Sequence, residues 1–244
     1  MEWDFTSAAV FVIVDDISAR ASLARIVRAA GWQPATFASA EEFLFHPRHA
    51  ASCCVVLDVV LPGMNGLELQ RRLADRRDAP IVFITGANDV ATSVRAMKAG
   101  AVDLLTTPFS TETLLDAIRT GLERSGAALR ADAAMQLLRS RYASLTPRER
   151  SVMRLVVIGL LNKQIGGELG ISEITVKAHR GQMMRKMHAG SVPDLVMMAA
   201  ALGVRGSGAA AARQPNVKAN ASTPAPANSI SNVRSTISPR CRIS

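Results

Sequence analysis

Aromatic side chains are scarce: Phe, Trp and Tyr make up 4% of the 244 residues, and there is a single Tyr. A core built from this chain must be aliphatic, and the hydrophobic share of 48% against 20% charged is enough to form one. Cysteine is also rare. Three residues, two of them adjacent (Cys53 and Cys54), cannot make a disulfide framework and suit a reducing cytoplasm. Long apolar runs are missing too. Val55–Leu57 and Val59–Leu61 are split by Asp58, and nothing approaches the roughly 18 apolar residues of a membrane span. The N-terminus carries Glu2 and Asp4 without a basic region, which argues against a secretory leader. His46, His49 and His188 lack metal-ligand spacing, and the adjacent cysteines sit in an apolar run, where packing is their expected role.

Acidic residues are absent from residues 206–244, which hold five basic ones. Residues 1–140 carry 14 basic and 16 acidic side chains, and residues 141–205 carry 10 and 4. A mildly acidic front and a basic rear predict two modules, the rear one facing a polyanion. The segment 206–244 is rich in Ala, Ser, Asn, Pro and Arg and poor in large apolar residues, so it is expected to be disordered.

The front alternates short apolar runs with amphipathic stretches. Strands are predicted at Val10–Val14, Gln33–Phe37, Cys53–Leu57, Ile81–Thr85 and Val102–Thr106. Helices are predicted at Ser18–Ala30, after a capping box at Ser39-Ala40-Glu41-Glu42, at Leu67–Arg76 and at Val90–Ala99. Near-continuous apolar strands alternating with helices imply a parallel sheet covered on both faces, an α/β flavodoxin-like doubly wound domain with a five-stranded parallel sheet. Thr111 to about Arg141 is helical, as one helix or two. The rear is all-helical. Thr146-Pro147-Arg148-Glu149 opens the first helix, Asn162 is expected to cap the second, Ser172 the third and Ser191 the fourth.

Ligands of such a sheet bind outside the carboxyl ends of its strands. Asp15 and Asp16 follow the first strand and Asp58 follows the third; Thr85 ends the fourth. A single Asp at a strand end is commonly a helix cap, but three converging on one edge repel one another and call for a cation, with Mg²⁺ the best match to hard oxygen ligands. In the rear, Asn162–Leu169, Gly170-Ile171 and Ser172–Met187 have the design of a helix-turn-helix. Val176, Met183 and Met187 share the stripe expected to face the core, with His179 on its edge. Lys177, Gly181 and Met184 lie on the other face, flanked by Arg180 and Arg185; small Ala178 and Gly181 allow close approach to base edges, and the flanking arginines, with Lys163 and Lys186, are placed to meet phosphates.

The segments Val14-Asp15-Asp16, Val56-Leu57-Asp58, Leu61-Pro62-Gly63-Met64-Asn65-Gly66, Phe83-Ile84-Thr85-Gly86 and Met97-Lys98-Ala99-Gly100-Ala101-Val102-Asp103 resemble a response-regulator receiver domain over about residues 8–125. The resemblance implies that Asp58 accepts a phosphoryl group from a histidine kinase. It also implies that Asp15, Asp16 and Asp58 hold Mg²⁺ and that Thr85 is the switch hydroxyl. Counted without a gap from Arg20 the acidic pair falls on Val14 and Asp15; with a one-residue deletion it falls on Asp15 and Asp16, the preferred reading. Two positions depart from the family. Thr107 stands before Pro108 where the family carries Lys, a charge-assisted hydrogen bond worth about 1.5–3 kcal/mol. Leu104 replaces the aromatic switch residue.

Leu145-Thr146-Pro147-Arg148-Glu149-Arg150, Gly159-Leu160-Leu161-Asn162-Lys163-Gln164-Ile165 and Glu168 through Arg180 resemble the LuxR-type helix-turn-helix of the FixJ-like branch. This implies an all-α four-helix module over 143–205, joined by a helical linker at 126–142. Its third helix reads promoter DNA through Thr175, Lys177, Ala178, Arg180, Gly181 and Lys186, with Lys163 of the second helix also at the DNA, and its fourth helix often mediates pairing. Together the two resemblances imply a cytoplasmic two-component transcriptional regulator, homodimeric when active, with no membrane contact and no enzymatic role. In it, phosphorylation changes the receiver surface around residues 88–103. The alternative is a phosphorylation-independent DNA-binding regulator whose degenerate receiver serves dimerisation or ligand sensing. A phosphatase-type enzyme fits less well, because no second acid or base stands near Asp58 in the sequence pattern to release the phosphoryl group.

Overall fold

A computed structural model describes residues 8–47, 50–86 and 90–204. The segment 206–244 and residues 88–89 of the expected switch surface lie outside the described residues. Five parallel strands, β1 (Ala9–Ile13), β2 (Gln33–Phe37), β3 (Cys53–Asp58), β4 (Ile81–Thr85) and β5 (Asp103–Thr106), form one sheet in the order β2-β1-β3-β4-β5. Their period of two divides the apolar residues between two cores. Phe11, Ile13, Val55, Leu57 and Phe83 point to one face, against α2 (Ala40–Phe45), α3 (Gly66–Arg72) and α4 (Val90–Lys98), which supply Phe43, Leu69 and Ala96. Val10, Val12, Cys54, Val56, Val82 and Ile84 point to the other. There they meet Leu23 and Val27 of α1 (Ile17–Ala29) and Leu114 and Ile118 of α5 (Thr111–Ala143).

The stretch that the sequence left as one helix or two is a single α5 of 33 residues, about 50 Å at 1.5 Å per residue. Its first half packs on the sheet. Leu138 and Tyr142 from its last turns join a third core with α6 (Pro147–Val157), α7 (Asn162–Leu169), α8 (Glu173–Met187) and α9 (Val192–Ala201). Val152, Met153, Ile165, Val176, Met183, Met187 and Leu195 are fully buried there. Thr146 and Glu149 close the capping box at the start of α6.

Three local expectations change. Asn162 is not the cap of α7 but its first helical residue. Leu161 takes the cap position, its N–H donating to Gln164 Oε1 at 2.8 Å, and Asn162 Oδ1 accepts from Arg180 instead. At α2 the Glu42 carboxylate accepts from Ala38 N rather than from the cap residue Ser39. α3 ends at Arg72, because Leu73 and the residues after it turn back through short-range backbone bonds.

One buried polar group has no signature in the sequence. Ser125, in the middle of α5, is fully buried; its Oγ accepts from Cys53 N at 3.0 Å and donates to Asp78 O. Cys53 Sγ also donates to Asp78 O, at 3.1 Å. Burial pushes the Cys53 thiol up to about 11 and the Cys54 thiol higher still, so both are packing residues and not thiolates at neutral pH. Ser125→Ala leaves the Cys53 N–H without its partner and is expected to cost about 1–3 kcal/mol, read as a lower midpoint in chemical denaturation.

Candidate functional site

The sheet order brings the carboxyl ends of β1, β3, β4 and β5 side by side. Ile13 pairs in register with Leu57, Asp58 with Ile84 and Thr85 with Thr106. Asp15, Asp58, Thr85 and Thr107 therefore emerge along one edge. Gly66, the first residue of α3, lies against this edge so closely that a Cβ there would sit 2.5 Å from the Asp58 carbonyl oxygen. The loop before it is tied by Glu41, whose Oε1 accepts from Met64 N at 3.0 Å; backbone N–H donors at Glu41 and Met64 hold that carboxyl below its usual range. Sequence reading missed Glu41, which looked like an ordinary first-turn helix acid.

Asp58 is partly exposed, and its Oδ1 accepts from Val60 N at 2.9 Å. Burial pushes its carboxyl above the ordinary range; the Val60 bond opposes this, and the charge of Asp15 adds to it. Asp15 Oδ1 accepts from Asp16 N at 2.9 Å. Asp16 turns away from the edge, and its Oδ1 accepts from Ala19 N at 2.6 Å as the cap of α1. Among the described residues no group of three or more His, Cys, Asp or Glu side chains is placed to hold a metal ion. The expected three-carboxylate cluster is thus reduced to Asp15 and Asp58, since satisfying the first turn of α1 takes the third. That pair still fits Mg²⁺, which commonly uses one or two carboxylates and keeps several waters. Arg20, useful in the sequence only for counting, donates to the carbonyl oxygens of Val14 and Asp15 and fixes the loop that carries the acids.

Thr85 is buried. Thr107, in the place of the family's lysine, donates its N–H to Thr85 O at 2.9 Å and its hydroxyl to the same oxygen at 3.4 Å. It ties two strand ends and brings no charge to the edge.

In the helical module, α7 ends on Gly170 at φ 65, and Ile171 N donates to Gly166 O at 3.0 Å, closing the turn. Ser172 caps α8 by accepting from Thr175 N at 3.1 Å, and the Ser172 and Thr175 hydroxyls lie 2.8 Å apart. Lys163, Lys177, Ala178 and Gly181 are exposed. Lys177 makes only a loose 3.5 Å pair with Glu173, both side chains well exposed. Arg180 Nη1 donates to Asn162 Oδ1 at 3.0 Å, so one edge of its guanidinium braces α8 against α7.

Two families match this chain. The response regulator receiver domain matches residues 10–119, and the bacterial regulatory proteins of the luxR family match residues 143–199. The chain belongs to the LuxR-type response regulators. Nodulation protein W of Bradyrhizobium diazoefficiens is 46% identical over 200 residues, covering 82% of this chain and 88% of that protein. Response regulator protein TodT of Pseudomonas putida is 41% identical over 191 residues, covering 78% and 84%. The solved response regulator StyR is 44% identical with a TM-score of 0.71, covering 80% of this chain and 99% of that one.

Within this response regulator, Lys186 departs from its expected place among the phosphate contacts. Its Nζ donates to both carboxylate oxygens of Glu149, at 2.7 and 3.0 Å. Glu149 is only 1% exposed and also accepts from Thr146 N at 2.8 Å. Lys186 therefore locks α8 to α6. Spacing alone could not reveal this, because the partners are 37 residues apart. Burial alone would raise the Glu149 carboxyl, but the Lys186 bond and the Thr146 N–H together hold it below the usual range.

Two outcomes follow from these pairs. Asp58 has a raised pKa in the fold, so it binds its proton more tightly folded than unfolded, and its contribution to stability falls as pH rises from the ordinary carboxylate range through the raised value. Without divalent cation, Asp58→Asn is expected to unfold at higher denaturant concentration at pH 7 and to lose this pH-dependent component, in urea titrations across pH. Glu149 behaves oppositely: its stabilisation is present above the ordinary carboxylate range and fades as pH falls through the lowered value. Glu149→Gln is expected to cost about 2 kcal/mol at pH 7, read by thermal unfolding of the full chain.

Proposed function

We propose that this chain is a cytoplasmic regulator of promoter activity in which Asp58 accepts a phosphoryl group from a histidine kinase. The reading divides the chain into a receiver at 8–125, a helical linker at 126–142, a DNA-binding module at 143–205 and a basic tail at 206–244. The observation that carries it is the convergence of Asp58 and Asp15 on the carboxyl edge of the sheet, with Asp58 in register with Ile84 of β4. The free carboxylate oxygen of Asp58 attacks phosphorus, the bond from phosphorus to the donor nitrogen breaks, and an acyl phosphate forms. Asp15 and Asp58 would hold Mg²⁺, which would supply charge neutralisation for the transferring group. Thr85, one strand over, is the hydroxyl to follow that group, and Arg20 holds the loop of Asp15 in place.

At the rear, Lys177, Ala178 and Gly181 meet base edges, and Thr175 stays at the base-proximal first turn. Lys163 and the free edge of Arg180 meet phosphates of double-stranded DNA. Two such modules in a homodimer would read a two-part operator. Among the described residues no helix is long and apolar enough to cross a membrane.

A second reading rests on Thr107. With a neutral tie where the family has a cation, the receiver serves as a dimerisation or ligand-sensing domain and DNA binding proceeds without phosphate. The two readings separate in one experiment. The full chain is incubated with Mg²⁺ and acetyl phosphate, then followed by intact mass and by binding to promoter DNA. The first reading expects a phosphoryl adduct that Asp58→Asn abolishes, and a yield raised about 10-fold or more by Thr107→Lys. No adduct on wild type, with DNA affinity the same in Asp58→Asn, supports the second.

A further inference from the structure

Ile174, Ala178, Gly181 and Arg185 follow one another at helical spacing along α8, and all four are exposed. They lie opposite Val176, Met183 and Met187, which are fully buried. Two of the four are unexplained by the fold. Ile174, in the first turn, is 80% exposed, a large apolar side chain left in water. Gly181, in the helix interior, has no close neighbour: a Cβ built there meets nothing within 4 Å. Glycine is a poor helix former, so neither packing nor helix propensity accounts for it. Both residues are unfavourable in the isolated module, and both are on the face that the DNA-binding reading turns to the groove.

We propose, resting on that reading, that Ile174, Ala178 and Gly181 form an apolar reading edge for the C5-methyl groups of thymine, with Ile174 the specificity-determining residue. In the major groove the thymine methyl is the one apolar feature among donors and acceptors. The Ser172 cap sets the first turn of α8 at the entry, where recognition helices meet base edges, and Ile174 projects from that turn. Further along, Ala178 and Gly181 leave the helix surface flat, so the backbone approaches closely and water leaves the contact. Lys177 and Arg180 flank this strip and supply the charge.

The test uses the full chain and a duplex selected by it from a random pool. In one arm the thymines of that duplex are replaced by deoxyuridine, which removes only the methyl groups. In the other, Ile174→Ala is assayed on the thymine duplex, and the two changes are then combined. Each single change is expected to weaken specific binding about 10-fold, while the combination costs little more than either alone. Affinity for a random duplex stays the same. Gly181→Ala is expected to raise Tm by up to about 4 °C and to weaken specific binding, a combination that a purely structural glycine would not give. The deoxyuridine arm uses wild-type protein and does not depend on any variant folding. Losses from Ile174→Ala and deoxyuridine that add independently overturn the proposal, as does specific binding indifferent to both. A selection that yields no preferred sequence overturns it together with the DNA-binding reading beneath it.

Discussion

One helix belongs to two cores. The first turns of α5 fill the sheet face opposite α3 and α4, and its last turns seat Leu138 and Tyr142 among the helices of the rear module. Nucleating a helix is costly, and most helical stability in proteins comes from packing an apolar face. α5 has two such anchors and a mostly exposed stretch between them. Its continuity therefore depends on both cores, and each core is incomplete without its end of α5. Arg150 strengthens the far anchor: it stacks over the Tyr142 ring at 5.3 Å and donates to Ala143 O at 2.8 Å.

The functional edge depends on a different constraint, the repulsion of like charges. Asp15 and Asp58 are brought together by strand order, and no positive side chain among the described residues pairs with either of them. The fold tolerates this because Asp58 is only partly covered and because Gly66 lets α3 crowd its backbone rather than its carboxylate. Arg20 acts on the backbone of the acidic loop, so it fixes the position of Asp15 without discharging it. The result is a strand edge that carries negative charge without a neutralising side chain among the described residues.

Much of this was legible beforehand. The five strands, their parallel order and the helix-turn-helix follow from period-two and period-3.6 patterning, which burial enforces directly. The edge residues follow from topology, since sequence position fixes which strand end each occupies. What remained hidden were choices between partners. Asp16 could have pointed to a cation or to the N–H groups of α1, and local capping wins because those donors are a few residues away and otherwise unsatisfied. Asn162 could have capped α7, but Arg180 competes for its oxygen. Ser125 and Glu41 looked like ordinary helix-surface residues; each is committed to a backbone group far away in sequence. Lys186 is the same case, a basic residue on a basic helix whose distant acid is invisible until the chain is folded.

The Glu149–Lys186 pair also changes how the basic rear should be counted. Binding to a duplex is driven by release of the counterions condensed on its phosphates, and only cations that reach those phosphates release them, about 0.9 in the logarithmic slope for each. A lysine already paired with a buried carboxylate of the protein releases none. Ionic strength should thus weaken this module's grip less steeply than its tally of lysines and arginines suggests.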